Sequence, residues 1–232
     1  MSPSPSRPIA ALFAAALLAG CGGSEARPSD EAAPLLVAPG SSGAGAERLR
    51  AGELPAARSA LEAELSADPD QLSALSDLAA TYLLEGHSES ARRLLDEVVA
   101  KGTPREQQGA LLGLGELYAL EGYLDAAAAY LETARAVDPS RPEPFYALAL
   151  LADARGDDAG SQAALATALR LDEAGAARAG FAYAYPEERS HLEAVLAEQA
   201  GDRAAALARW RELSQGRFAP LSLAAERHLA GE

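Results

Sequence analysis

Lysine, cysteine and aromatic residues are scarce in this 232-residue chain. Lysine and arginine together number 20 against 34 acidic residues, which gives a formal net charge of −14. No basic stripe is available to neutralise phosphates, so nucleic acid is excluded as a ligand. Aromatic residues make up only 5% of the chain, which disfavours β-sandwiches and barrels, because strands need aromatic and β-branched residues. The single cysteine, Cys21, excludes an internal disulfide and a cysteine-based zinc site.

Catalytic and metal-binding motifs are also missing from the sequence. The three histidines, His87, His191 and His228, are far apart and lack the spacing of metal ligands, and no H-E-x-x-H motif occurs. The acidic pair Asp68 and Asp70 lacks the rest of a calcium-binding loop. The sequence therefore predicts a protein that is not an enzyme and that binds no metal or small-molecule cofactor.

The N-terminus has the pattern of a secretion signal. Residues 9–18 are apolar throughout, which is the length of a signal-peptide core and too short to span a bilayer interior of ~30 Å. The run leads into Leu18-Ala19-Gly20-Cys21, which resembles the lipobox of bacterial lipoproteins. The resemblance implies cleavage between Gly20 and Cys21, a diacylglycerol on the Cys21 thiol and an acyl chain on its new amino group. An ordinary secretory signal with a chance cysteine is the alternative.

A lipidated Cys21 implies a membrane location. Two or more acyl chains anchor a protein stably, and Gly22 is not the aspartate that resembles an inner-membrane retention signal in enteric bacteria. We therefore expect an outer-membrane protein that faces the periplasm. Residues 22–43 are rich in Gly, Ser, Pro and Ala and are predicted to form a flexible tether with a reach of roughly 25 Å. The expected organisation is a signal peptide (1–20), a tether (21–43) and a folded region (44–232).

Glycine recurs in the folded region with a period near 34 residues. The glycines are Gly52, Gly86, Gly122, Gly156 and Gly201. Five residues after each glycine comes a small residue, and four residues later a large apolar one: Ala57 and Leu61, Ala91 and Leu95, Ala127 and Leu131, Ser161 and Leu165, Ala206 and Trp210. Because glycine favours the left-handed conformation that ends a helix, each period predicts two helices joined by a tight turn.

The third unit shows the pattern best. Leu111, Leu114, Gly115 and Tyr118 share one helical face, and Pro139 stops the second helix. This pattern resembles the tetratricopeptide repeat.

The resemblance extends over residues 44–217 and implies an all-α fold, namely a right-handed α-solenoid of five helix-turn-helix units. Residues 217–231 resemble the amphipathic helix that caps such solenoids. A generic alanine-rich helical bundle is the alternative fold.

The resemblance also implies a binding groove, since the first helix of each repeat lines the concave face. The expected groove residues are Leu83, Leu112, Glu116, Glu143, Tyr146, Leu150, Asp153, Glu188, His191 and Glu198. The lysines and asparagines with which chaperone-binding members hold a terminal carboxylate are missing here. A groove of apolar and acidic residues suits a partner segment with apolar anchors and basic flanks. Alternatively, the acids only keep the protein soluble.

An insertion at residues 174–184 interrupts the repeat period before the fifth unit. Phe181, Tyr183 and Tyr185 lie within five residues of one another there. They either form a partner-binding loop, since aromatic residues are enriched at binding hot spots, or fill the gap between the fourth and fifth units.

The overall architecture resembles that of tetratricopeptide lipoproteins that serve as pilotins of secretins or as scaffolds in outer-membrane assembly. The resemblance implies a non-enzymatic, lipid-anchored adaptor of a bacterial envelope or secretion complex. The alternative is a periplasmic carrier or enzyme accessory whose groove holds a small apolar ligand or glycan.

Overall fold

A computed structural model describes residues 42–180 and 185–231 of the chain. The signal peptide, Cys21, nearly all of the tether, and Phe181 and Tyr183 lie outside these residues. The described residues form twelve helices and no strand. The helices are α1 (Ala44–Arg50), α2 (Leu54–Ala67), α3 (Leu72–Leu84), α4 (Ser88–Lys101), α5 (Pro104–Leu120), α6 (Leu124–Val137), α7 (Glu143–Ala154), α8 (Asp158–Leu171), α9 (Ala176–Gly180), α10 (Pro186–Gln199), α11 (Arg203–Leu213) and α12 (Ala219–Ala230).

Successive helices pack in pairs, and the pairs stack along the chain. The five pairs are α1–α2, α3–α4, α5–α6, α7–α8 and α10–α11. Up to the fourth pair, the second helix of each pair packs on the first helix of the next: α2 on α3, α4 on α5 and α6 on α7. Helix α12 covers α11 and also contacts α5, α7 and α10. The five-unit α-solenoid with a C-terminal cap is therefore confirmed, and α9 is part of the insertion.

The repeating glycines form the turns inside the pairs. All five have positive φ angles, between 72° and 86°, a region that glycine occupies without strain. At the second turn, the Gly86 amide donates to the Leu83 carbonyl (2.9 Å) and the His87 amide to the Tyr82 carbonyl (2.7 Å). These two bonds satisfy carbonyl groups that the end of α3 leaves unpaired. Because the turn that forms them needs a positive φ angle, glycine recurs at this position of each unit.

The other two repeating positions form the contact within each pair. The small residues are buried, as are the large apolar residues four positions later; Ala57, Leu61, Ala91 and Ala127 are completely buried or nearly so. Trp210 is also completely buried, and it is the largest side chain in the core. The sequence period therefore repeats one packing contact five times.

No helix in the described parts of the chain is both long and apolar enough to cross a membrane.

The packing predicts opposite effects for two glycines of α5. A Cβ atom on Gly115 would lie 2.4 Å from Cδ2 of Leu131, whereas a Cβ atom on Gly109 would meet nothing within 4 Å. Gly115→Ala should therefore lower the free energy of unfolding by about 1–3 kcal/mol through overpacking. The control Gly109→Ala should raise it by up to about 1 kcal/mol, because alanine favours a helix. Urea unfolding followed by circular dichroism measures both; equal effects would contradict the packing.

Candidate binding site

The insertion brings the fifth unit into contact with the second. Tyr185 follows the insertion, and its hydroxyl donates to the backbone carbonyl of Leu83 in α3, 102 positions earlier in the chain. Its ring packs against Phe218 at a centroid distance of 5.2 Å, and the Arg217 guanidinium lies 5.0 Å from the same ring. Tyr185 is 6% exposed. It therefore fills the gap between repeats, which is the second of the two alternatives that the sequence leaves open, and it does not form an exposed partner-binding loop.

A buried carboxylate joins three helices on the concave side. Asp153 of α7 is 2% exposed, and its two carboxylate oxygens contact two histidines. One oxygen lies 2.6 Å from Nε2 of His191 in α10, and the other lies 2.7 Å from Nε2 of His228 in α12. The Arg227 guanidinium donates to the Asp153 backbone carbonyl. Although burial opposes the charged form, these histidines hold the pKa of Asp153 below its usual range.

The network continues to the fifth unit. Nδ1 of His228 lies 2.9 Å from Oε1 of Glu198, and the Trp210 indole donates to the same oxygen at 2.7 Å. The Trp210 and His228 rings stack at a centroid distance of 4.1 Å. Burial disfavours a charged imidazole, but the hydrogen bonds to Asp153 and Glu198 outweigh it and raise the pKa of His228 to about 9. His228 is therefore protonated at neutral pH.

This network removes several residues from the expected groove. Leu83, Tyr146 and Asp153 are buried inside the protein, because Tyr185, α10 and α12 pack over the face that the repeat pattern leaves open. The Tyr146 hydroxyl donates to Asp172 at 3.1 Å. Glu198 belongs to the histidine network. These four positions do not line the concave pocket, and their assignment to it was wrong.

The remaining groove residues surround a pocket of about 370 Å³ on the concave side. Six expected residues line it: Leu112, Glu116, Glu143, Leu150, Glu188 and His191. Pro220 and Leu221 of α12 form part of its wall, a contribution that the repeat pattern does not predict. The expected continuous groove is thus reduced to a partly open pocket with mostly apolar walls.

Two carboxyl groups meet in the wall of this pocket. Glu116 of α5 and Glu188 of α10 hydrogen-bond to each other, and the Tyr185 amide donates to Oε2 of Glu188 at 3.2 Å. Burial raises the pKa of Glu116 to about 7. Burial, together with the charge of Glu116, raises the pKa of Glu188 well above its usual range. The pair therefore retains a proton at neutral pH, and Glu188 donates it to Glu116.

Charged residues also line the mouth of the pocket. Arg141 donates to Glu143 within one ion pair, while the second carboxylate oxygen of Glu143 is buried without a hydrogen-bond partner. Arg105 lines the pocket and is exposed. The pocket lining therefore carries both signs of charge, with Arg105 and Arg141 beside the glutamates.

Part of the chain matches a known protein family. A family model described as tetratricopeptide repeat matches residues 48–115, the segment from α1 to α5 whose turns and packing are described above. This part of the chain is therefore similar to the tetratricopeptide repeat family. A crystal structure of MamA is similar at 20% sequence identity, covers 83% of this chain and 99% of MamA, and gives a TM-score of 0.48. No curated protein matches the sequence significantly.

One further acidic group lies near the histidine network. Potential ligand atoms of Asp153, Asp158 and His228 lie within 4.8 Å of one another. However, Asp153 and His228 are already hydrogen-bonded to each other, and a protonated imidazole has no lone pair for a metal. The chemistry of these donors fits an ion pair better than a metal site.

The raised pKa of His228 makes stability depend on pH. Its contribution is complete below the unfolded-state pKa of 6.5 and disappears as the pH rises through about 9. Wild-type protein should therefore lose about 1–3 kcal/mol of unfolding free energy between these limits. His228→Gln should remove most of that loss and be less stable at pH 6. Urea unfolding across this pH range measures the profile.

The exposed His87 provides the control for this experiment. His87→Gln should keep the wild-type profile. If His228→Gln loses as much stability as wild type over the same interval, His228 does not carry the effect.

Proposed function

We propose that this protein is a lipid-anchored, non-enzymatic adaptor of a bacterial cell envelope that holds a segment of a partner protein in its concave pocket. The observation that carries the proposal is the pocket itself, which helical hairpins and the cap border and which has apolar walls around the Glu116–Glu188 pair. Repeat proteins of this kind use their concave surface for recognition.

The size of the pocket supports a particular mode of binding. Tyr185 and α12 cover part of the concave face, so only part of it remains open. The volume of about 370 Å³ that is left accommodates one or two side chains. Binding energy at protein interfaces is concentrated in a few anchors that fill such pockets. We therefore propose that an apolar anchor of the partner enters between Leu112, Leu150 and Leu221, which line the pocket.

The charge of the chain supports a basic partner. The formal net charge is −14, and two carboxyl groups lie inside the pocket. Complementary charge accelerates association and discriminates against acidic partners. Basic residues that flank the apolar anchor would meet this requirement.

The membrane anchor rests on the lipobox-like sequence before Cys21. A thiol-linked diacylglycerol and an N-linked acyl chain would hold the protein stably on a membrane, and the Gly- and Ser-rich residues 22–43 would let the solenoid move away from it. Gly22 favours the outer membrane, with the solenoid in the periplasm. Partners would then belong to envelope assembly or secretion, as for pilotins and outer-membrane scaffolds.

A second candidate function is a carrier or enzyme accessory that holds a small apolar ligand or glycan. The size of the pocket favours it, because a volume of about 370 Å³ falls within the range of small-molecule sites.

Filling the pocket tests the proposal. Gly109 lines the pocket, and a Cβ atom there would meet nothing within 4 Å, so Gly109→Phe should place its ring in the pocket rather than in the core. Co-purification of partners from detergent-solubilised membranes should then fall at least about tenfold, as for a lost hot-spot contact. The control Ala129→Phe adds the same ring at an exposed position of α6 and should have no effect. Unchanged co-purification with Gly109→Phe would overturn the pocket as the partner site.

The same preparation tests the anchor. Cys21→Ser removes the thiol that the acyl chain needs, so the protein should move from the membrane fraction to the soluble fraction or remain uncleaved. If this variant stays on membranes in its cleaved form at the wild-type level, lipidation at Cys21 is contradicted.

A further inference from the structure

We infer that the concave pocket is a site for an organic cation, an ammonium or guanidinium group on an apolar stem, which the Glu116–Glu188 pair binds in exchange for a proton. The inference rests on the proposed function and names the chemistry of the group that enters the pocket. It adds a regulatory property, because the exchanged proton makes occupancy depend on pH.

The position of the pair is the first argument. Glu116 comes from α5 and Glu188 from the first turn of α10, so two separate helices direct carboxyl groups into the same pocket wall. Glu188 is 8% exposed. Buried carboxyl groups are normally paired with a cation, yet here each is bonded to the other acid. Arg141, Arg209 and Arg217 form their ion pairs with other acids.

The pocket next to the pair is the second argument. Its walls are largely apolar, with Leu112, Leu120, Leu150 and Leu221 among the lining residues. An apolar stem fills this space while its cationic end reaches the carboxyl pair. Apolar walls also strengthen the attraction between cation and carboxylate, because they exclude water from between the charges.

Other charged groups around the pair are already engaged or lie at the mouth. Arg141 is paired with Glu143, Glu187 with Arg217 at 3.0 Å, and His191 with Asp153 at 2.6 Å. At the mouth, Glu106 accepts a hydrogen bond from the Thr103 amide at 2.9 Å, and Arg105 is exposed. The groups closest to the pair are therefore compensated, and the pair itself is left to bind an added cation.

The exchange balances in charge. As the pH falls through about 7, Glu116 takes up a proton, and burial beside Glu116 also raises the pKa of Glu188 and favours its protonated form. A cation that binds between them displaces the Glu116 proton to water, so one positive charge enters as one leaves. Above pH 7 Glu116 is already ionised, and binding requires no such release. The affinity should therefore weaken by up to about tenfold for each pH unit below 7 and change little above it.

Isothermal titration of the full-length chain between about pH 5.5 and 8.5 tests this linkage. The probes are n-hexylammonium and its neutral analogue 1-hexanol. At pH 8 the ammonium should bind at least about tenfold more tightly than the alcohol, as expected for hydrogen bonds to a charged group. Only the ammonium should show the pH dependence. Equal affinities, or an ammonium affinity that is flat across the range, would overturn the inference.

Matched variants assign the effect to the pair. The Glu116→Gln, Glu188→Gln double variant keeps the shape of the side chains and should abolish both the preference for ammonium and its pH dependence. The control Glu132→Gln removes one acid from the outer surface of α6, where Glu132 pairs with Arg135 at 2.7 Å, and should bind as wild type does. Melting followed by circular dichroism confirms that the variants are folded. A preference that survives in the double variant would contradict the role of the pair.

A comparison of two peptides shows whether the cation is a side chain of a partner protein or a small molecule. It also distinguishes failure of this inference from failure of the proposed function. The capped peptide Ac-Ala-Leu-Lys-Leu-Ala-amide is compared with a version that carries norleucine in place of lysine. Tighter binding of the lysine peptide supports a partner side chain as the cation. Binding of hexylammonium without the lysine peptide supports the cation site and overturns a protein segment as its occupant. Equal binding of both peptides and no preference for hexylammonium overturns the cation site and leaves an apolar partner site intact.

Discussion

One buried carboxylate constrains the C-terminal half of this solenoid. Asp153 of α7 is almost completely inaccessible and bonds to His191 of α10 and His228 of α12. An ionised carboxylate without partners is very costly in the protein interior. The bonds of Asp153 therefore favour the packed arrangement of the three helices and help to hold α12 in place. Its Pro220 and Leu221 then reach the concave side and form a wall of the pocket.

The pocket follows from this arrangement and from the contact that Tyr185 makes with α3. A tetratricopeptide solenoid that stayed open would present a continuous groove to a long helix or strand. Here the fifth unit and the cap cover part of that groove and leave a pocket whose lining includes Glu116 and Glu188. Under the proposed function this pocket receives one anchoring group, and the choice between a protein segment and a small ligand depends on what carries that group.

The sequence was sufficient to predict the local structure, because local structure depends on near neighbours. The glycines with positive φ angles, the small residues at the helix contacts and the cap after residue 217 all follow from spacing. The repeat pattern also indicates which stripe of each first helix faces the concave side, and six of the ten residues so chosen line the pocket.

Spacing could not predict which part of that stripe stays open. This depends on the curvature of the whole solenoid and on contacts between residues far apart in the chain. The Tyr185–Leu83 hydrogen bond spans 102 positions. The acid pair joins the third unit to the fifth, and neither glutamate has a sequence signal that distinguishes it from other acids. Asp153, which was expected to bind a partner, instead meets two histidines whose separation in the sequence resembled no known site.

Hydrogen exchange at α12 in Asp153→Asn tests most directly whether this carboxylate holds the cap in place. The asparagine has nearly the same shape but cannot form the ion pairs, so the amides of α12 should exchange at least about tenfold faster than in wild type. The amides of α3 and α4, which do not contact Asp153, should keep wild-type rates, and so should every helix in the control Asp125→Asn, whose exposed carboxylate pairs with Arg155. Unchanged protection of α12 in Asp153→Asn would contradict the account.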